Sequence, residues 1–121
     1  MFKEGSKVGE FYLENTILGF RSNNSEEIKN IVYFIVTSNS QVIYIGLTEV
    51  TIAERIEHIV KPRLGNDTYI KLKPLLEDYL NKKQTIYLYA SHYDVNSTEL
   101  KSYREMFKNK YSPSYNELYG Y

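Results

Sequence analysis

The clearest hydrophobic pattern in the chain is a pair of β-branched and aromatic runs in its first half. The runs cover residues 31–37 and 41–46, and the polar triplet Ser-Asn-Ser at 38–40 separates them. Two such runs joined by a short polar turn are typical of a β-hairpin. A third run, 84–91, alternates aliphatic residues with tyrosines, which predicts one more strand.

Three other segments space their apolar residues at helical intervals. The first begins at the capping-box pattern formed by Thr51 and Glu54, which is a helix-start signal. The second covers 69–83, and we expect Pro74 in its first turn, where a missing N–H is tolerated. The third runs from about residue 97 to about residue 110. Each carries an apolar stripe on one side and charged residues on the other.

Residues 1–29 have a weaker strand-like pattern, which we interpret as an N-terminal arm or hairpin placed before a domain of residues 30–121. The predicted order within that domain is β-β-α-α-β-α. This order indicates an α+β fold with α/β-type layering, in which a small three-stranded antiparallel sheet is flanked by about three helices.

Composition narrows the class of protein. The 121 residues suit one domain, and the absence of cysteine excludes disulfides and thiolate metal sites. Fifteen basic and fifteen acidic residues give a net charge of zero, so a nucleic-acid surface would have to be local. The N-terminus lacks the apolar stretch of a signal peptide, and the chain has no run long enough to span a membrane, so we expect a cytoplasmic protein without membrane partners.

The residues suited to chemistry gather around the predicted hairpin. Tyr33 lies on its first strand, Tyr44 on its second, and Gly46 leaves room for a close approach of a substrate or of the chain itself. Arg55 follows on the first helix, with His58 about one turn later. A phenol or imidazole can take a proton from water, and a guanidinium can hold a phosphate bidentately. This grouping predicts a phosphodiester site.

The same residues carry a resemblance to a known family. The triplet at 31–33 ends in Tyr33, ten residues intervene, and Tyr44-Ile45-Gly46 and then Arg55 follow. The segment from Tyr111 to Asn116 is similar to an aromatic-x-Pro-x-x-Asn ending. Together these motifs, over roughly residues 30–117, resemble the GIY-YIG endonuclease superfamily.

The resemblance implies roles for individual residues. Tyr33 would act in general-base chemistry, and Tyr44 and Arg55 would line the scissile phosphate of DNA. His58 matches a histidine that often follows that arginine, and Asn116 matches the late asparagine. One divalent ion, Mg²⁺ or Mn²⁺, would be held by a glutamate on a later helix.

The chain departs from the family's pattern at two places. Ile31 stands where the first motif has glycine, and the position of the metal-binding glutamate falls on Arg104. Glu105 is the neighbouring carboxylate, but one residue rotates a helical side chain by about 100°. Three alternatives are open: an irregular helix turns Glu105 inward as the metal ligand, Glu99 replaces it, or the ligand is lost and Arg104 binds phosphate directly.

These observations leave a leading hypothesis and two others. The leading one is a GIY-YIG-type endonuclease that hydrolyses DNA phosphodiester bonds with a single divalent metal ion. The second is a module of the same fold that binds nucleic acid or a protein partner without cleavage. The third is a small structural or regulatory protein in which the 13 tyrosines only pack.

Overall fold

The computed structural model describes residues 2–23 and 27–121, and this part of the chain contains five strands and four helices. The strands are β1 (Ser6–Glu14), β2 (Ile17–Ser22), β3 (Ile31–Thr37), β4 (Val42–Thr48) and β5 (Ile86–His92). The helices are α1 (Ile52–Val60), α2 (Asp67–Asn81), α3 (Ser97–Tyr111) and α4 (Ser114–Tyr119).

The five strands form one antiparallel sheet in the order β2-β1-β5-β3-β4. The predicted hairpin is confirmed as β3–β4, but the prediction of three strands is wrong. β5 pairs with β3 on one side and with β1 on the other, so the N-terminal hairpin extends the sheet by two strands. A strand left unpaired at that position would expose a row of backbone hydrogen-bonding groups, and β1 satisfies them. Residue 1 and residues 24–26 of the predicted arm lie outside the described residues.

Helices cover both faces of the sheet, which is why all seven residues of the interior strand β3 are buried. On one face, alternate β3 side chains join the apolar stripes of α1 and α2 in a core that includes Tyr33, Ile56 and Leu72. On the other face, the remaining β3 side chains pack with α3 through residues such as Phe34 and Phe107. Period-two alternation in a strand buried on both sides gives two separate cores.

Two helix predictions need correction. α2 begins at Asp67, so Pro74 lies inside the helix rather than in its first turn. The Asn66 side chain caps this earlier start by accepting a hydrogen bond from the Tyr69 N–H at 3.5 Å. The segment after Pro113 forms a fourth helix, α4, in addition to the three that the sequence predicted. Among the described helices, none is long and apolar enough to cross a membrane.

Candidate functional site

Tyr33 and Gly46 lie opposite each other on β3 and β4. A Cβ atom on Gly46 would stand 2.5 Å from the Tyr33 hydroxyl oxygen and 2.5 Å from its Cζ atom. The glycine is therefore required by the tyrosine that lies over it, because any side chain would collide with that ring. The space that the sequence suggested for a close approach is filled by Tyr33.

Tyr44 lies on the same face of the sheet, with its ring centroid 5.9 Å from that of Tyr33 at an interplanar angle of 54°. Tyr33 is 1% exposed and Tyr44 is 7% exposed. The two predicted tyrosines are thus brought together, Tyr33 beneath the site and Tyr44 closer to its surface.

A third tyrosine, which the sequence reasoning missed, completes the cluster. Tyr69 lies in the first turn of α2, and its hydroxyl is 2.5 Å from the Tyr33 hydroxyl. Its position at the start of the stripe that continues with Leu72 and Leu76 was the available signal, because a hydroxyl at the end of an apolar stripe needs a polar partner inside the fold.

Arg55 reaches this cluster from α1. Its Nε–H donates to the Thr48 hydroxyl, which is buried at the end of β4, at 3.0 Å. Its guanidinium also lies against Tyr69: burial raises the pKa of this tyrosine, and the hydrogen bond to Tyr33 and the charge and hydrogen bond of Arg55 oppose the rise. The contact with Thr48 leaves other N–H groups of this half-buried guanidinium for further partners.

The phenols of the cluster are protonated at neutral pH. Burial raises the pKa of Tyr33 well above its ordinary value of 10.0, and the neighbouring Tyr44 and Tyr69 add to the shift. Burial likewise raises the pKa of Tyr44, although Tyr33, Arg104 and Arg55 oppose the shift. A phenol in this state donates a hydrogen bond readily and accepts a proton poorly. The geometry therefore favours a donor role over the general-base role that the resemblance implied for Tyr33.

Arg104 is the second cationic side chain that acts on the cluster. It lies on α3, its side chain is 30% exposed, and its positive charge acts on the Tyr44 hydroxyl. Arg55 acts on the same hydroxyl from α1. The charges of two arginines on different helices thus act on the same buried phenol, which is an arrangement suited to an anion.

Glu105 is not brought to the tyrosines. α3 is regular from Ser97 to Tyr111, so no irregularity turns this carboxylate inward. Its side chain is 55% exposed and pairs with Lys108 at 3.2 Å and with Arg104 at 3.3 Å. Glu99, the other alternative, is exposed in the first turn of α3. The register of α3 thus turns Glu105, the predicted metal ligand, toward solvent.

The donor set around the tyrosines does not fit a divalent metal ion. Within residues 2–23 and 27–121 there is no group of three or more His, Cys, Asp or Glu side chains that could hold one. The charged side chains that act on Tyr44 are two arginines, which would repel a cation. We therefore derive no chemical step through Mg²⁺ or Mn²⁺.

Two other predicted site residues have different surroundings. The Asn116 amide accepts a hydrogen bond from the Ile45 N–H at 2.8 Å and donates one to the Ile45 carbonyl at 2.9 Å. It thereby pairs the outer edge of β4 and fixes α4 there, so its polar atoms are used within the fold. The His58 Nδ1 atom is buried, and the described residues offer it no hydrogen-bond partner.

Comparison with known proteins agrees with the class of fold that these elements define. No family model matches the chain, and no curated protein matches its sequence. The structure is similar to that of a mutant of bacteriophage T4 EndoII, a GIY-YIG endonuclease, with a TM-score of 0.68 and 17% sequence identity. The match covers 92% of this chain and 90% of that one, and the chain therefore has a GIY-YIG-like fold.

Proposed function

We propose that this protein binds DNA, and that Arg55 and Arg104 together hold a backbone phosphate beside the Tyr44 hydroxyl. The observation that carries the proposal is that two part-buried arginines, Arg55 on α1 and Arg104 on α3, both act on the Tyr44 hydroxyl, and that Arg55 is held beside the cluster by its hydrogen bond to Thr48 at 3.0 Å. Guanidinium groups donate paired N–H groups to phosphate oxygens, and a protonated phenol adds a third donor. The GIY-YIG-like fold, shared with an endonuclease, supports DNA as the source of the phosphate.

The charges of the chain set the expected strength of this binding. The net charge is zero, so the chain lacks the overall positive field of a strongly basic DNA-binding protein. We expect a salt dependence that corresponds to a small number of phosphate contacts around the site. A strongly salt-dependent interaction over a long footprint would not fit this surface.

Hydrolysis by the same site is the second candidate, that is, a GIY-YIG-type endonuclease with one Mg²⁺ or Mn²⁺ ion. The grouping of Tyr33, Tyr44 and Arg55 and the likeness to an endonuclease favour it. Against it stand Arg104 beside Tyr44 and Glu105 on the outer surface of α3. These observations rank cleavage below binding.

The test measures binding and cleavage separately. Fluorescence anisotropy with a labelled duplex, in EDTA, compares the wild type with Arg55→Ala, Arg104→Ala and the control Arg21→Ala. Arg21 is an exposed arginine of β2 that pairs with Glu10 at 3.5 Å. We expect both site variants to lose on the order of tenfold or more in affinity, the equivalent of one charge-assisted hydrogen bond, and the control to bind as the wild type does.

Equal affinity of all four proteins would overturn the proposed phosphate site. Plasmid nicking in Mg²⁺ and Mn²⁺, with the same variants, addresses the second candidate. Cleavage that disappears in Arg55→Ala would establish the endonuclease, whereas no salt-dependent DNA binding at all would favour a structural or protein-binding role.

A further inference from the structure

The turn that joins α1 to α2 holds a leucine fully in solvent. Leu64 has a relative exposure of 102%, the highest of the large hydrophobic side chains that are exposed in the described residues. The Asn66 N–H donates to the Arg63 carbonyl at 3.0 Å, which closes a four-residue turn with Leu64 in its second position. Gly65 follows with φ +90°, the left-handed conformation that a type II turn requires in its third position.

The geometry of this turn fixes Leu64 at its tip. Asn66 closes the turn with its N–H, and its side chain also caps α2 through the Tyr69 N–H at 3.5 Å. A Cβ atom built on Gly65 would have no atom within 4 Å, so the space beyond the turn is open. The leucine is thus carried on a hydrogen-bonded turn that is continuous with a helix.

The turn lies near the proposed phosphate site in the chain. It connects α1, which carries Arg55, to α2, whose Tyr69 follows Leu64 by five residues and contacts Tyr33. Five residues span at most about 18 Å of chain. The tip therefore lies within that distance of Tyr69, the tyrosine against which Arg55 is placed, and one helical turn of duplex, about 34 Å long, is long enough to reach from the site to the tip.

The charges beside the leucine are mostly those that contact phosphates. Lys61 and Arg63 are both exposed and flank the tip on its N-terminal side, while Asp67 opens α2 on the other. An apolar tip next to basic residues matches the side chains with which proteins enter the minor groove, where cations follow the backbone and an aliphatic wedge separates two base pairs.

We propose that Leu64 inserts between stacked base pairs of duplex DNA and unstacks one step next to the bound phosphate. The inference rests on the proposed function and adds a structural preference to it, for duplexes that are already weakly stacked. A mismatched or nicked duplex needs less energy to open than a perfect one, so it should bind more tightly to a protein that opens it.

The experiment compares a perfect duplex with the same duplex carrying one central mismatch, each with 2-aminopurine next to the centre. We expect the wild type to prefer the mismatched duplex on the order of tenfold and to raise the 2-aminopurine fluorescence, because the base loses its stacking partner. Leu64→Ala should bring the preference close to one and remove the fluorescence rise. Leu64→Met, which retains a long apolar side chain, should keep both.

The matched control is Ile17→Ala. Ile17 is 63% exposed on β2, the edge strand at the opposite side of the sheet from β4, which carries Tyr44, so its removal should change neither signal. If Leu64→Ala retains the mismatch preference and the fluorescence rise, Leu64 does not insert between base pairs, and the proposal of a phosphate site is unaffected. If the wild type binds neither duplex, the proposed phosphate site is contradicted, and the insertion of Leu64, which depends on it, is contradicted too.

Discussion

The ring of Tyr33 lies over Gly46 on the neighbouring strand, with its hydroxyl oxygen 2.5 Å from the place where a Cβ atom would stand. This contact joins the two motifs by which the sequence resembles the GIY-YIG family. It gives the glycine a packing reason, since a fully buried phenol can reach Tyr69 across β4 only if the facing residue has no side chain. The packing of Tyr33 on Gly46 is thus needed to form the site, whether or not a substrate binds there.

Gly46→Ala should destabilise the fold by about 1–3 kcal/mol, the usual range for overpacking a filled core. The added methyl group would have to displace the Tyr33 ring, which is buried on all sides. Urea denaturation followed by circular dichroism measures the change. A second background, Tyr33→Leu, tests the cause: the cost of Gly46→Ala should fall there, and an equal cost in both backgrounds would show that the ring is not responsible.

Tyr69→Phe should destabilise the protein by about 1–3 kcal/mol, because it leaves the buried Tyr33 hydroxyl without the partner that now lies 2.5 Å away. It should also weaken DNA binding, since Tyr69 is one of the groups against which the Arg55 guanidinium is placed. Thermal unfolding and anisotropy measure the two effects. Tyr119→Phe is the control, because Tyr119 is 43% exposed, and a similar loss in both variants would contradict a specific role for Tyr69.

Local sequence patterns were sufficient to predict most of the strands and helices of the domain but not how they assemble. The β3–β4 hairpin and the start of α1 follow from alternation and from the Thr51 capping pattern, which are properties of a few adjacent residues. The pairing of β1 with β5 joins residues about eighty positions apart. A weak strand pattern does not indicate which other strand it pairs with.

The candidate site likewise combines residues that local motifs predict with contacts between residues far apart in the chain. The motif spacing located Tyr33, Tyr44 and Arg55, whereas Tyr69 joins them through a contact between residues 36 positions apart. The register of α3 was readable, because the helical period placed Arg104 rather than Glu105 toward the apolar side. Asn116 was identified from a motif, whereas its two hydrogen bonds to the backbone of Ile45 depend on α4, a helix that the sequence analysis did not predict.

The buried tyrosines predict a loss of stability in alkali. Burial raises the pKa of Tyr33, Tyr44 and Tyr69 above the ordinary value of 10.0, so the unfolded chain releases these protons at a lower pH than the folded chain does. The unfolded state binds fewer protons above that value, and the free energy of unfolding therefore falls as the pH rises past about 10.

Circular dichroism and phenolate absorbance, followed together against pH, test this prediction. Phenolate absorbance from the exposed tyrosines should rise first, and the remainder should appear only with loss of the fold. Tyr44→Phe should reduce the pH dependence, because one shifted group is removed. Titration of all 13 tyrosines without a change in circular dichroism would contradict the linkage.

Arg104→Glu tests which chemistry the site allows. The substitution places a carboxylate beside the Tyr44 hydroxyl, where a positive charge now acts, and leaves the exposed Glu105 unchanged. In EDTA, DNA affinity should fall on the order of tenfold to a hundredfold, because one cationic phosphate contact becomes a repulsive one. Added Mg²⁺ or Mn²⁺ should restore part of the binding, since a carboxylate and a phosphate can share such an ion.

Glu105→Gln, which alters a carboxylate on the outer surface of α3, should behave as the wild type in both conditions. Metal-free binding that is equal in Arg104→Glu and the wild type would show that Arg104 does not hold the phosphate, and nicking gained by Arg104→Glu would mean that this one residue separates a binding site from a cleaving one.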